Sequence, residues 1–298
     1  MSILLFGAQG QLGRELASTL GVIGPVLPLC RTQVDLATPL AAAAVIAHHQ
    51  PRVVINAAAY THVDAAESEP ELAQRINGDA VGEIAEACRT CGAHLLHFST
   101  DYVFPGTGSA PHTEADAVGP VNTYGRSKLD GERQAIHSGC SVTILRTSWL
   151  HAPQGKNFIR TILERAQHTE HISVVNDQFG APTFARWLAD IATTIAARSL
   201  VGECKLPTVL HAASRGCTTW HEVAQVAVAM AIDAGMQLRL TPHSVTPISS
   251  TAFHCAATRP TNSRMSIALL EKTLAIECPP WTEGVRETAY AIARELHR

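Results

Sequence analysis

A tyrosine and a lysine four residues apart, in Tyr124-Gly125-Arg126-Ser127-Lys128, are the residues of this chain best suited to proton transfer. At that spacing on a helix they share one face, about one turn apart. A phenol near its reference pKa of ~10 exchanges protons poorly at neutral pH. A fixed cation beside it favours the phenolate and lowers that pKa, each unit representing about 1.4 kcal/mol. The pair is therefore suited to exchange a proton with a sugar or alcohol oxygen. Helices also carry exposed Tyr and Lys at this spacing without catalytic consequence, so the pair needs support from elsewhere in the chain.

Two upstream stretches supply it. Ser2 to Phe6 is short and apolar and reads as a buried strand. It runs into Gly7-Ala8-Gln9-Gly10-Gln11-Leu12-Gly13 and then a helical pattern from Arg14. Glycines at such a place serve a tight strand-to-helix turn, close approach of backbone to a pyrophosphate, and close helix–sheet packing. The helix N-terminus offers free N–H groups and a favourable dipole to phosphate. The second stretch is His97 to Gly106, where an apolar strand, Leu95 to Phe98, is followed by the hydroxyls of Ser99 and Thr100. The carboxyl ends of parallel strands line the ligand crevice of an open sheet. A hydroxyl there can hydrogen-bond a substrate carbonyl, completing a Thr100, Tyr124 and Lys128 set. A plain strand-ending Ser-Thr-Asp turn is the other reading of that stretch.

The elements that must position these groups alternate through residue 150. Strands are predicted near 2–6, 26–29, 53–56, 94–98 and 142–146, and helices near 11–20, 39–48, 71–91 and 122–138. Such alternation predicts a parallel sheet covered on both faces. The expected class is α/β: a Rossmann-like doubly wound parallel sheet with a smaller, interleaved α+β substrate domain. Residues 1–150 would form the dinucleotide-binding domain, rejoined by about 184–212, with 151–183 and 213–298 as the substrate-binding region. Beyond 150, helices are predicted over 187–197 and 220–234, a short strand over 209–211, and a last helix from Pro279-Pro280-Trp281. The stretch 235–265, poor in helix formers, reads as substrate loops.

Composition sets bounds. Of 298 residues, 16% are charged and 46% apolar, which suits a globular chain with a large core. A net charge of −3 gives no sign of a nucleic-acid surface. No apolar run approaches the roughly 18 residues of a membrane span. The opening strand leaves no room for a signal peptide, so a cytoplasmic location is expected. The eight cysteines are scattered and are read as reduced thiols. Cys88 and Cys91 form a CxxC-like pair, but no second pair completes a zinc site. The fifteen histidines show no ligand spacing.

These residues together resemble the extended short-chain dehydrogenase/reductase superfamily, in which GxxGxxG accompanies YxxxK. Within it the chain is similar to the dTDP-4-dehydrorhamnose reductase family. The resemblance runs in order through Gly7 to Gly13, Asn56 to Glu67, Ser99 to Gly106, Tyr124 to Glu132, Arg146 to Trp149, Asn176 to Thr183 and Arg259 to Arg264. NDQFGAPT and RPTNSR are its most specific parts. The resemblance implies NAD(P)H-dependent reduction of the C4 ketone of dTDP-4-dehydro-L-rhamnose to dTDP-L-rhamnose, in nucleotide-sugar biosynthesis. Tyr124 would protonate the nascent alkoxide, Lys128 would hold the nicotinamide ribose, and Thr100 would bind the carbonyl oxygen.

The cofactor can be read further. Where NAD-preferring sites place an acid after the second strand, this chain has Leu29-Cys30-Arg31-Thr32, and Arg31 suits a 2′-phosphate. NADPH is the expected cofactor, with NADH the alternative. Its expected contacts are Gly7, Gln9, Gly10, Gln11, Leu12, Gly13, Arg31, Asp35, Leu36, Ala57, Ala58, Ala59, Tyr124 and Lys128. The resemblance places the substrate at Val63, Asp64, Thr100, Tyr102, Trp149, Asn157, Gln178, Phe179 and Arg259. Arg264 is a second candidate cation for the diphosphate, and either arginine could instead brace a loop. Some members of the family dimerise around magnesium. Glu15 matches one of those ligand positions, but Arg186 stands where another carboxylate is expected, so no metal is expected. The chain would be a monomer or homodimer. Three alternatives remain open: an epimerase or a dehydratase, Asp101-Tyr102 after Thr100 arguing against dehydration; a reductase of another dTDP-4-keto-6-deoxysugar; and a non-catalytic, reductase-like regulatory subunit.

Overall fold

The computed structural model describes residues 3–202 and 206–296. Six parallel strands make the central sheet: β1 (Ile3–Phe6), β2 (Val26–Leu29), β3 (Val53–Asn56), β4 (His94–Thr100), β5 (Ser141–Thr147) and β6 (Val209–His211). Their order is β6-β5-β4-β3-β1-β2. Chain direction across the sheet reverses between β1 and β3, and a crevice at the carboxyl ends of the strands is expected at that switch point. β1 and β3 are buried at every described residue, as strands covered on both faces must be. Ser2, predicted as the first residue of β1, lies outside the described residues.

Among the described residues the longer helices that cover the sheet or pack beyond it are α1 (Gln11–Leu20), α2 (Ala41–His49), α3 (Ala80–Cys91), α4 (Thr123–His137), α5 (Phe158–Ala166), α6 (Ala185–Val201), α7 (Trp220–Asp233), α8 (Ala268–Leu274) and α9 (Trp281–Leu296). Leu16, Leu20, Leu188 and Ile195 of α1 and α6 bury one sheet face with Ile3, Leu5 and Ile55. Ile46, Ile84, Ala85 and Ala135 of α2, α3 and α4 bury the other with Leu4, Phe6 and Val54. A separate core joins α5, α7 and α9 through Leu163, Val228 and Ile292.

The predicted strands and helices through residue 150 are present within a residue or two, and β4 runs two residues further than expected. The sequence reading did not find α5 or α8. It also missed a parallel pair, Ile172–Val175 with Val245–Ile248. The second of these strands carries a proline and falls in the stretch read as loops, a correction to that reading. Proline breaks a strand pattern where it sits in the middle of a sheet but is tolerated in a short edge strand. The helix predicted over 71–91 is broken in character. Pro70–Gln74 passes into a π-helical turn, Arg75–Asp79, before α3. Such turns frequently sit at functional sites.

Candidate active site

A crevice of about 620 Å³ opens at the carboxyl ends of the strands, running from Arg31 after β2 to Trp149 after β5, with Lys156 also in its wall. The glycine loop forms its floor. Gly7 sits at φ +79°, in the left-handed region that glycine enters without strain. A Cβ there would lie 2.6 Å from Ala58 N, so Gly7 and the Ala57-Ala58 backbone share space only glycine leaves open. A Cβ on Gly13 would lie 2.0 Å from Gly7 O, which ties α1 tightly to the loop. Gly10 caps α1 without a side-chain hydrogen bond, leaving the first-turn N–H groups for an anion. Every expected cofactor residue lines this crevice except Gly13, whose part is packing. The cradle fits a dinucleotide: unscreened amides at the loop, small side chains at 57–59, and Arg31 at the far end. Arg31 is mostly exposed and its Nε lies 3.3 Å from Asp35 Oδ2. The Asp35 carboxylate also accepts from Ala37 N, which with Arg31 holds it below the usual carboxylate range.

Two elements bring the reactive groups to the other end. β4 ends at Thr100, whose Oγ1 accepts from Tyr102 N and donates to Asp101 Oδ1. α4 begins at Asn122, whose Oδ1 accepts from Gly125 N at 2.7 Å, an asparagine N-cap. Glu67 accepts from both the amide and hydroxyl of Thr123, fixing the first turn. A Cβ on Gly125 would meet Tyr102 O at 2.3 Å, so glycine lets α4 press against the turn after β4. Asn77, from the π-helical turn, accepts from Tyr60 N, donates to Tyr60 O and donates to Ser127 Oγ. Thr100, Tyr124 and Lys128 thereby share one wall of the crevice.

The electrostatics correct one expectation. The Tyr124 phenol is held above its ordinary value, not below it. Burial is the largest cause, Asp101 adds to it, and the Thr100 hydroxyl opposes it. Lys128 is not among the groups that shift the phenol. It is 2% exposed, and burial pushes its amine down to about 8. Its Nζ donates to Phe98 O at 2.6 Å and lies 3.3 Å from His97 Nε2. Asp101, also buried, is pushed up to about 6 by desolvation. Asp101, His97, Asn56 and Asn77 were not among the expected site residues. Nothing in their local spacing marks them, because the sheet and the π-helical turn bring them together.

Of the expected substrate residues, Thr100 and Trp149 line the crevice. Trp149 has φ +48°, a left-handed conformation that costs free energy in a non-glycine residue. Its ring stacks on Trp220 at 3.8 Å, and a Cβ on Gly180 would lie 2.8 Å from it. Tyr102 meets Tyr124 edge-on, with ring centroids 5.8 Å apart. Val63, Asp64, Tyr102, Asn157, Gln178, Phe179 and Arg259 are not in the crevice wall. Asp64 and Arg259 form a bidentate ion pair at 3.0 and 2.8 Å. The Asn157 amide is fully engaged: it caps α5 at Arg160 N and donates to Gln11 Oε1 and Ala152 O. Gln178 is buried, and the Phe179 ring lies under the Arg264 guanidinium at 4.4 Å. Arg264 also donates to Cys217 Sγ and Asn262 Oδ1, so it is a loop brace. The crevice adds Ser148 and Lys156, which sequence reasoning did not single out.

Arg186 lies 3.8 Å from Glu15 and 3.4 Å from Asp190, a run of ion pairs where the family resemblance placed a metal. Among the described residues no cluster of three His, Cys, Asp or Glu could hold a metal ion. No described helix is long and apolar enough to cross a membrane. The seven described cysteines are all free, and Cys204 lies outside the described residues.

Comparison with known proteins places this geometry. Residues 1–294 match the family model described as RmlD substrate binding domain. The dTDP-4-dehydrorhamnose reductase of Burkholderia thailandensis is 43% identical over 288 residues, covering 96% of this chain and 97% of its own. That of Salmonella typhimurium is 42% identical over 294 residues, with 96% of each covered. The crystal structure of dTDP-4-dehydrorhamnose reductase from Bacillus anthracis in complex with NADP superposes with a TM-score of 0.87 at 31% identity, covering 96% of this chain and 98% of that one. With a glycine-loop crevice, a Tyr-Lys helix and full-length likeness of this degree, the chain belongs to the dTDP-4-dehydrorhamnose reductase family.

Proposed function

We propose that Thr100, Tyr124 and Lys128 carry out the NAD(P)H-dependent reduction of the C4 ketone of dTDP-4-dehydro-L-rhamnose to dTDP-L-rhamnose. The observation that carries this reading is the placement of all three on one wall of a crevice whose floor is a dinucleotide-type glycine loop. The bound nicotinamide supplies the hydride. Gly7, Gln9, Gly10, Gln11, Leu12 and Ala57 to Ala59 bind its phosphates and adjoining ribose, and Gly13 holds α1 against that floor. Arg31, with Asp35 and Leu36 near the adenine end, favours NADPH over NADH. Tyr124, its phenol kept protonated by burial, donates the proton to the nascent alkoxide. Thr100 orients the carbonyl oxygen, and Lys128 holds the nicotinamide end.

Trp149 packs on the hexose, and Val63, Asp64, Tyr102, Gln178, Phe179 and Arg259 surround the sugar nucleotide. Asn157 acts through Gln11, whose side chain it fixes. Residues 1–150 with about 184–212 serve the cofactor, and 151–183 with 213–298 serve the substrate. The reading includes a cytoplasmic monomer or homodimer without a nucleic-acid partner. The guanidinium of Arg186 beside Glu15 supports activity without a metal. The intact Thr, Tyr and Lys set disfavours the non-catalytic subunit.

Tyr124→Phe tests the reading. Its expected result is a loss of kcat of roughly 10²–10⁴-fold with NADPH binding retained. Turnover at the wild-type level would remove Tyr124 from the chemistry.

A further inference from the structure

Behind the reactive lysine, buried between β4 and α4, His97 lies between two groups that both carry protons. It is fully buried and sits opposite Asn56 across the β3–β4 pairing. Its Nδ1 lies 3.3 Å from Asn56 Nδ2, and its Nε2 lies 3.3 Å from Lys128 Nζ. The Asn56 amide cannot turn over to relieve this, because its Oδ1 already accepts from Ala58 N at 3.1 Å. Asn56 Nδ2 therefore always points a donor at Nδ1. A neutral imidazole has one donor and one acceptor nitrogen. When Nδ1 accepts from Asn56, the ring proton is on Nε2 and faces Lys128. When Lys128 is an ammonium and donates to Nε2, the ring proton must move to Nδ1 and face the Asn56 amide. With an ammonium at Lys128, one of the two contacts is unmade in either tautomer. The arrangement that satisfies every partner is a neutral amine, accepting from Nε2–H and donating to Phe98 O.

We propose that His97 is a positioning residue that sets the acidity of Lys128, its tautomer being dictated by Asn56. This rests on the reading of Lys128 as part of the reducing site. Each protonation of the lysine forces an unfavourable contact at Nδ1, so the amine gives up its proton more readily than burial alone would require. The other charged and titratable groups around the pair do not take over this function. Glu132, one turn along α4, favours the ammonium but is locked to Arg146 of β5 by a buried bidentate pair at 2.9 and 2.6 Å. Tyr124 and Asp101 stand on the crevice side. Burial and the neighbouring lysine hold His97 itself well below its ordinary value, so the ring stays neutral and responds only by exchanging tautomers.

The test is ring-nitrogen NMR of the full-length, 15N-labelled protein without cofactor, from pH 6 to 10. The His97 signals are assigned from their absence in His97→Gln or His97→Asn. The expected result is a ring proton on Nδ1 at the acid end that moves to Nε2 as pH rises. In Asn56→Asp, the new carboxylate accepts from Nδ1–H, so the ring keeps that tautomer across the whole range. The high-pH limb of NADPH oxidation in that variant then moves up by roughly one pH unit or more. His97→Gln, which can accept from Asn56 and donate to Lys128, keeps the wild-type limb. A wild-type ring that holds one tautomer throughout, or becomes doubly protonated, overturns the proposal, and either of the two assigning variants is enough to identify it. A tautomer exchange with no matching limb in NADPH oxidation supports the role of His97 and counts separately against the catalytic reading of Lys128.

Discussion

A carboxyl group held out of water beside a phenol that must keep its proton is the sharpest feature at the level of single residues. Asp101 is 3% exposed, and the side chains of Ser263 and Thr100 beside it only partly offset its burial. Its folded pKa, about 6, is above its unfolded value of about 3.8. A group shifted in this direction contributes stability below its unfolded pKa and loses that contribution as pH rises through the folded one. Above pH 6 the ionised carboxylate should therefore cost on the order of 3 kcal/mol. Asp101→Asn is expected to match wild type in urea unfolding near pH 4 and to exceed it by up to that amount at pH 7.5. An equal difference at both pH values would show that the carboxylate ionises freely. Arg31 poses a second question at this scale. It is free to swing, because its ion pair with Asp35 is solvent-exposed and such pairs contribute about 0–1 kcal/mol. Arg31→Ala should lower kcat/KM with NADPH roughly tenfold or more and leave that with NADH nearly unchanged. An unaltered preference between the two would place the 2′-phosphate elsewhere.

Secondary-structure elements explain what the sequence could and could not reveal. The six strands and the glycine loop were legible because their signals are local: short apolar runs, then small residues where a strand turns into a helix. Tyr124 and Lys128 were legible for the same reason, since four residues on one helix need no knowledge of the fold. The surroundings of those groups were not. Whether the lysine lowers the tyrosine depends on what β4 places behind it, and His97 and Phe98 O come from that strand. Asn77 reaches Ser127 only because the helix before α3 widens into a π-helical turn, and no residue type announces such a turn. α5 begins at an asparagine cap that the sequence reading assigned to substrate. The glycine loop gives the prediction at this scale. Gly13→Ala sets a methyl where Gly7 O now stands, at 2.0 Å, and backbone on both sides prevents easy relief. The variant should lose about 1–3 kcal/mol of stability, as overpacked sites do, and bind NADPH more weakly. Calorimetry alongside cofactor titration measures both, and wild-type values in each would mean that α1 is not pinned to the loop.

Across the whole molecule, the segment 257–264 ties together loops that lie far apart in the chain. Thr261 Oγ1 donates to Gly106 O, and Asn262 Nδ2 donates to Ala110 O. Asn122, which caps α4, donates to Thr258 O. Gly106 must be glycine here, since a Cβ would lie 2.0 Å from Pro260 Cβ. Within this seam Arg259 faces Asp64, and the pair links the loop after β3 to the C-terminal segment. The guanidinium holds the Asp64 carboxyl below its usual range, so both groups are charged at neutral pH. Asp64 is about half exposed, which leaves its pairing open to solvent and to competition. A diphosphate offers Arg259 two formal charges where Asp64 offers one, so an arriving sugar nucleotide should draw the guanidinium away from the carboxylate or share it. Arg259→Ala is then expected to raise the substrate KM by roughly 10–100-fold, the equivalent of one charge-assisted hydrogen bond or two. The effect should shrink as salt screens the wild-type enzyme, and NADPH affinity should be unchanged, since the proposed cofactor contacts lie on the β1–β3 side of the crevice. Steady-state kinetics at low and high ionic strength, with a fluorescence titration of NADPH, separate the cases. A fall in kcat with KM unaltered would make the Asp64–Arg259 pair a structural clasp alone, and the diphosphate would then have to be met by another cation, of which Lys156 lines the crevice.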